Sequence, residues 1–315
     1  MDAMVITEFG GTDVFERRDV EKPTPGPTEL LVRVHASSIN PVDCQIREAG
    51  SWAGISPPTV IGYDVSGVVE SVGGAVTDFE AGDEVFYTPE IFGKQGSYAE
   101  YHVADESIVA RKPDRLSHQE AAALPLAGGT AWEAIVDRGD VMASETVLIH
   151  GAGGVGSHAV QIADASGAQV VATASPQTVE QTENLGATRA IDYESESFED
   201  VITSEFDESM DLVFDTVGGE MLVKSTDVTK AHGRLVTILE PEGAWGNAYQ
   251  KNLTVEMLFL ERDRRPLDGL RRLVEQGRLD PVIDSVLPLE EVAKAHEMVE
   301  GSGLTGKVVL DVAGD

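Results

Sequence analysis

The stretch Thr146-Val147-Leu148-Ile149-His150-Gly151-Ala152-Gly153-Gly154-Val155-Gly156 decides the fold. Its first residues, apolar and rich in β-branching, read as a short buried strand. Glycines at 151, 153 and 156 follow in the spacing of a dinucleotide-binding turn, and residues 155–166 read as an apolar helix. In such a turn one glycine permits the tight bend, a second lets backbone approach a pyrophosphate, and a third allows close helix–strand packing. The helix N-terminus then attracts the phosphates. Gly151, Gly153, Gly154, Val155 and Gly156 are therefore candidate cofactor-binding residues, with an ordinary structural turn as the alternative.

Downstream, residues 169–174 read as the next strand and 178–185 as the next helix, while 189–193, 211–215 and 234–239 continue the strand series. Strand and helix in alternation imply crossover connections and a parallel sheet, so the class is α/β, doubly wound. The second strand ends at Ala174-Ser175, where an NAD site usually places Asp or Glu on the ribose hydroxyl. No acid stands there, and Ser175 leaves room for a 2′-phosphate, which favours NADP(H). Against that, no Arg or Lys follows closely, Glu180 and Glu183 lie on the next helix, and Ser175 also reads as a plain loop residue.

Upstream, 30–34 and 65–72 read as strands of a β-rich lobe, and 119–123 and 130–136 as helical. In the tail, Leu267, Leu270 and Leu273 follow helical spacing, Val282, Ile283 and Val286 precede a second helix carrying Val292, Ala295 and Val299, and 307–312 reads as a strand. Too short for its own core, this tail is expected to rejoin the N-terminal lobe. The expected division is 1–120 with 264–315 around a dinucleotide-binding domain at 121–263.

Composition narrows the function classes. Asp and Glu number 55 against 23 Lys and Arg, a formal charge of −32, with runs at 192–200 and 205–211 rather than one acidic tail. Such a field repels nucleic acid and anionic membranes. It also suits a salt-rich cytoplasm, because self-repulsion is screened when the Debye length shrinks to ~3 Å in molar salt. No run approaches the ~20 apolar residues of a membrane span, and Met1-Asp2-Ala3-Met4 lacks the basic and apolar regions of a signal peptide, so a soluble, cytoplasmic protein is expected. The single cysteine, Cys44, excludes an internal disulfide and any cysteine-rich zinc site.

Several motifs together resemble the medium-chain dehydrogenase/reductase superfamily in its zinc-independent quinone oxidoreductase branch. They are Ser38-Ile39-Asn40-Pro41-Val42-Asp43, the run from Ile61-Gly62-Tyr63-Asp64 to Val69, Ala81-Gly82-Asp83-Glu84-Val85, and Gly96-Ser97-Tyr98-Ala99-Glu100-Tyr101. Leu126-Ala127-Gly128-Gly129-Thr130-Ala131-Trp132, Phe214-Asp215-Thr216-Val217-Gly218-Gly219 and Gly306-Lys307-Val308-Val309-Leu310 complete the set. The resemblance implies a Rossmann domain beside a mostly β, GroES-like catalytic domain. Zinc enzymes of the superfamily carry cysteine where Asn40 stands and histidine where Tyr63 stands, so no metal site is expected. Without a Lewis acid, reduction of an acceptor that is already electrophilic fits better than alcohol oxidation.

What the resemblance implies for single residues can be set beside a plainer role for each. Asn40 faces the nicotinamide and the reacting oxygen, or merely initiates the turn before Pro41. Asp43 is an active-site carboxylate, or the i,i+4 partner of Arg47. Tyr63 shapes the acceptor pocket or packs the core, and Trp52 stacks on a planar acceptor or wedges a loop. Thr130, Tyr193, Thr237, Ile238 and Lys307 belong on the cofactor side; their plainer roles are a helix cap for Thr130, a buried strand end for Tyr193 and a solvated lysine for Lys307. Residues 253–260 read as an edge strand that pairs across a homodimer, or as an ordinary buried strand. The expected function is hydride transfer from NADPH to a small quinone or enone. A non-catalytic NADP(H)-binding sensor and a metal-dependent alcohol or polyol dehydrogenase are the alternatives.

Overall fold

The computed structural model describes residues 1–206 and 210–314; Asp207 and Glu208, within the second acidic run, lie outside the described residues. The chain divides into two compact units. One comprises Met1–Ala127, Glu261–Glu275 and Pro281–Asp315, the other Gly128–Leu260 and Gln276–Asp280. Residues 121–127 and 261–263 thus belong with the first unit and 276–280 with the second, unlike the division expected from sequence. One tie that draws the first of these stretches in is the Leu126 N–H, which donates to the Asp64 carboxylate at 2.7 Å.

The first unit contains β1 (Asp2–Ile6), β2 (Phe15–Asp19), β3 (Glu29–Ser38), β4 (Thr59–Val60), β5 (Val65–Val72), β6 (Glu84–Tyr87), β7 (Tyr101–Asp105) and β8 (Ala110–Arg111). The second contains β9 (Thr146–His150), β10 (Gln169–Ala174), β11 (Arg189–Asp192), β12 (Met210–Asp215), β13 (Thr229–Thr237) and β14 (Thr254–Met257). The tail adds β15 (Ile283–Pro288) and β16 (Lys307–Asp311) to the first. There, β1 pairs with β2 and β4, and a larger sheet runs β15-β16-β3-β5-β6-β8 with β7 on β3. The tail does rejoin this lobe, since β16 lies antiparallel to β3 with Val309 opposite Ser38. β3 extends well beyond residues 30–34 because β5, β7 and β16 each pair with part of it. Ile6, Ile39, Ile46, Ile61, Tyr98, Val308 and Leu310 close into one core.

In the second unit all six strands are parallel, in the order β11-β10-β9-β12-β13-β14. This is the doubly wound Rossmann arrangement. The chain moves one way from β9 through β10 to β11, then crosses to β12 on the other side of β9, so the switch point lies at the carboxyl ends of β9 and β12. Leu148, Val171, Ile191, Val213 and Leu235 from five neighbouring strands pack with Phe198 and Ile202. No helix of the described residues is long and apolar enough to cross a membrane.

Candidate active site

Sheet register in the first unit brings three distant segments together. β3 runs out through Ser38 to Ile39 and Asn40; β5, whose Ser66 lies opposite Ala36, follows directly on Asp64; β16 on the other flank begins at Lys307, and Ile39 N–H donates to Val308 C=O at 2.9 Å. Asp64 and Lys307 therefore arrive on either side of Asn40. The Asn40 Nδ2 donates to Asp64 Oδ2 at 2.7 Å, and Lys307 Nζ donates to Asn40 Oδ1 and to Ile39 C=O at 2.8 Å. Lys307 Nζ lies 3.6 Å from Asp64 Oδ2, which also accepts from Ser38 Oγ. All of these side chains are buried. Burial pushes the Asp64 carboxyl up and the Lys307 ammonium down from their ordinary values, and each one's charge opposes the other's shift.

Asn40 also caps helix α1 (Pro41–Ala49), with Pro41 at the first helical position. Its backbone N–H donates to the carboxylate of Asp43, one turn into the helix. The turn-initiating role and the polar site thus coincide in one residue. Burial, reinforced by the Asp64 charge, pushes the Asp43 carboxyl up to about 8. Among the described residues, Asp43 Oδ1 has no hydrogen-bond partner, and neither has the hydroxyl of buried Tyr63. Asp43 does not pair with Arg47, whose buried guanidinium turns to Glu300 at 2.5 Å and to Gly10 C=O at 3.1 Å. Trp52 is half exposed on the 3₁₀ turn Gly50–Ala53, its ring edge-to-face with exposed Phe92 at 6.3 Å. The two loops are joined, Gly93 N–H donating to Ala53 C=O at 2.9 Å.

In the second unit the glycine turn joins β9 to helix α2 (Gly156–Ala165). Gly151 has φ +82, and its N–H donates to Thr173 Oγ1 at 3.0 Å. A Cβ at Gly156 would sit 1.9 Å from Gly151 O, whereas one at Gly153 would meet nothing within 4 Å. The three glycines thus divide the work as the spacing implies: one bends, one packs, and one faces open space at a helix N-terminus. That open cradle fits a dinucleotide pyrophosphate. Among the described residues, no three His, Cys, Asp or Glu side chains are grouped to hold a metal.

Ser175, Tyr193, Thr237 and Ile238 lie along the same sheet edge. Half-buried Ser175 follows β10 and shares a 2.9 Å hydrogen bond between its Oγ and Thr178 Oγ1. Tyr193 follows β11, its N–H donating to Ala174 C=O at 3.2 Å, with the side chain 54% exposed and so available to a ligand rather than buried. Thr237 ends β13 with its Oγ1 3.2 Å from Asp215 Oδ2 and accepting the Leu239 N–H, and Ile238 N–H donates to Asp215 C=O. Thr130 is buried in helix Pro125–Trp132. Lys307, expected on the cofactor side, is neither solvated nor on this edge: it is spent on Asn40, Ile39 and Asp64 in the first unit. The residue that sequence reading missed is Asp64. Its signal was an acid inside the apolar run 60–69, which a folded chain buries only beside compensating partners.

Two family models match the chain: an alcohol dehydrogenase GroES-like domain over residues 26–114 and a zinc-binding dehydrogenase over residues 185–310. The NADPH-dependent alkenal/one oxidoreductase of Arabidopsis thaliana is 36% identical over 98% of this chain and 79% of its own. The human quinone oxidoreductase is 33% identical over 98% of this chain and 97% of its own. The quinone oxidoreductase structure from Coxiella burnetii superposes with a TM-score of 0.90 at 32% identity, over 99% of both chains. The chain belongs to the medium-chain dehydrogenase/reductase superfamily. Within it, this oxidoreductase falls in the quinone oxidoreductase branch.

Proposed function

We propose that the chain transfers hydride from NADPH to a quinone or α,β-unsaturated carbonyl without zinc. The observation that carries this reading is the Asn40 amide: Lys307 occupies its oxygen and Asp64 accepts from its Nδ2, so the NH2 end is held as a donor. An amide NH2 is a donor for the oxyanion that develops when a conjugated carbonyl or quinone accepts hydride. Zinc would need ligands such as thiolate and imidazole; an amide already committed to two charges and a buried phenol stand at those positions.

NADPH, when bound, supplies the hydride. Gly151 to Gly156 hold its pyrophosphate, Ser175 admits its 2′-phosphate where an acid would repel it, and Tyr193 lies on the adenosine side. The Arabidopsis relative is named as NADPH-dependent, which supports the same cofactor. On the acceptor side Asn40 is the donor, with Trp52 and Tyr63 shaping the acceptor's surroundings and Asp43 a buried protonated carboxyl in the first turn of α1. We further read β14 as the seam of a homodimer: it pairs only with β13 among the described strands, and Tyr249, Val255, Met257 and Phe259 are exposed around it. The charge of −32 we read as adaptation to a salt-rich cytoplasm.

Steady-state oxidation of NADPH and of NADH against a panel of quinones, enones and saturated alcohol–ketone pairs tests the reading. Turnover of quinones or enones with NADPH, insensitive to chelators, is the expected result. Cofactor binding without turnover of any acceptor, or activity abolished by a chelator and restored by zinc, refutes it. Light scattering after size exclusion reads the dimer, and substitution of Val255 and Met257 by Lys is expected to leave monomers.

A further inference from the structure

We propose that Asp64 and Lys307 are positioning residues that lock the Asn40 amide in one of its two orientations; the inference rests on the reading of Asn40 as the acceptor-side donor. The two ends of an asparagine amide are nearly the same shape, so packing alone does not tell oxygen from NH2. Charge does. Lys307 offers only donors and faces Oδ1, while Asp64 offers only acceptors and lies 2.7 Å from Nδ2. A flip would set the carbonyl oxygen against a carboxylate and the NH2 against an ammonium, exchanging two charge-assisted bonds for two repulsions.

Each member of the lock is itself held. Lys307 Nζ is tied to Ile39 C=O at 2.8 Å. Asp64 receives Ser38 Oγ on one oxygen and the Leu126 N–H, in the first turn of helix Pro125–Trp132, on the other at 2.7 Å. Donors on both oxygens, a helix N-terminus and a nearby ammonium are the surroundings of an ionised carboxylate. The amide plane is therefore fixed from both ends, and its NH2 group points in one fixed direction. This gives Lys307 and Asp64, both buried, a common role without contact to the acceptor.

The experiment is a set of variants of the full chain: Lys307→Met, Asp64→Asn, the two combined, Asn40→Ala, and Asn40→Ala in the combined background. kcat with 1,4-benzoquinone, KM for NADPH and the melting temperature are read for each. Each single change strands one buried charge, so stability and kcat both fall. The combined change removes both charges. Its melting temperature is expected to return close to wild type, while kcat stays about tenfold to a hundredfold low, as for a reacting group held loosely, and KM for NADPH is unchanged. In the Asn40→Ala background the combined change is expected to cost no further kcat. Wild-type kcat in the combined variant overturns the lock, as does a combined change that slows Asn40→Ala as much as it slows wild type. Full kcat in Asn40→Ala overturns the donor reading itself, and the lock with it.

Discussion

Gly153→Ala and Gly156→Ala place the same methyl group three residues apart in one turn, and the structure gives them opposite consequences. At Gly156 the new Cβ would lie 1.9 Å from Gly151 O, more than 1 Å closer than real Cβ contacts, and the obstacle is backbone that cannot rotate away. Overpacking against backbone costs about 3 kcal/mol, and at roughly 2–4 °C per kcal/mol the melting temperature falls by about 6–12 °C. At Gly153 the methyl meets nothing within 4 Å and φ is not in the left-handed region, so stability is unchanged or rises by up to ~1 kcal/mol. The same methyl fills the space assigned to the pyrophosphate. NADPH binding is expected to weaken by about 1.4–3 kcal/mol, tenfold or more in Kd. Thermal melts of the apo variants, with titration of NADPH fluorescence, measure both terms. A Gly153→Ala variant that binds NADPH as wild type does would refute the assignment of the cradle.

Ser175→Asp is expected to cut kcat/KM for NADPH by at least about tenfold while improving use of NADH, since it sets a carboxylate against a 2′-phosphate; an unchanged cofactor ratio removes Ser175 from the site. Asp43 keeps its proton in the folded chain up to about pH 8 but releases it near 3.8 when unfolded, so raising the pH between these values favours unfolding. Asp43→Asn, which has no proton to lose, is expected to flatten the decline of melting temperature across that window; parallel wild-type and variant curves would place Asp43 in a different environment. Raising salt from about 0.1 M to about 1 M shortens the Debye length from ~10 Å to ~3 Å, so a chain of charge −32 is expected to melt at a higher temperature. Indifference to salt, read by circular dichroism melts, counts against the salt-rich cytoplasm.

Local pattern carried the strands of the second unit, though not its helices Phe198–Glu205, Glu220–Val228 and Gly246–Lys251. A buried parallel strand is a continuous apolar run, and residues 146–150 and 169–174 coincide with β9 and β10 because nothing long-range is needed to see them. The first unit was less legible. β1 and β2 pair with each other and with the two-residue β4, so their pattern is short and interrupted, and the length of β3 depends on three partners scattered over the chain. Asn40 and Asp43 were visible through the resemblance to the family. What they touch was not, because Asp64 and Lys307 reach them only through strand register. A lysine near the end of a sequence reads as solvated until the strand that carries it is seen between two others.

β16 inserts Lys307 beside Asn40 from 267 positions along the chain, with the whole second unit threaded between them. During synthesis the strands of the second unit have all left the ribosome before that lysine is made. The Rossmann sheet therefore has every strand it needs early, while the polar cluster in the first unit waits for β16. Until then Asp64 lacks the ammonium of Lys307, and burying an acid without its cation is costly. On the proposed reading of the site, a chain cut short of β16 keeps every strand of the Rossmann sheet but loses the lysine that holds the Asn40 amide.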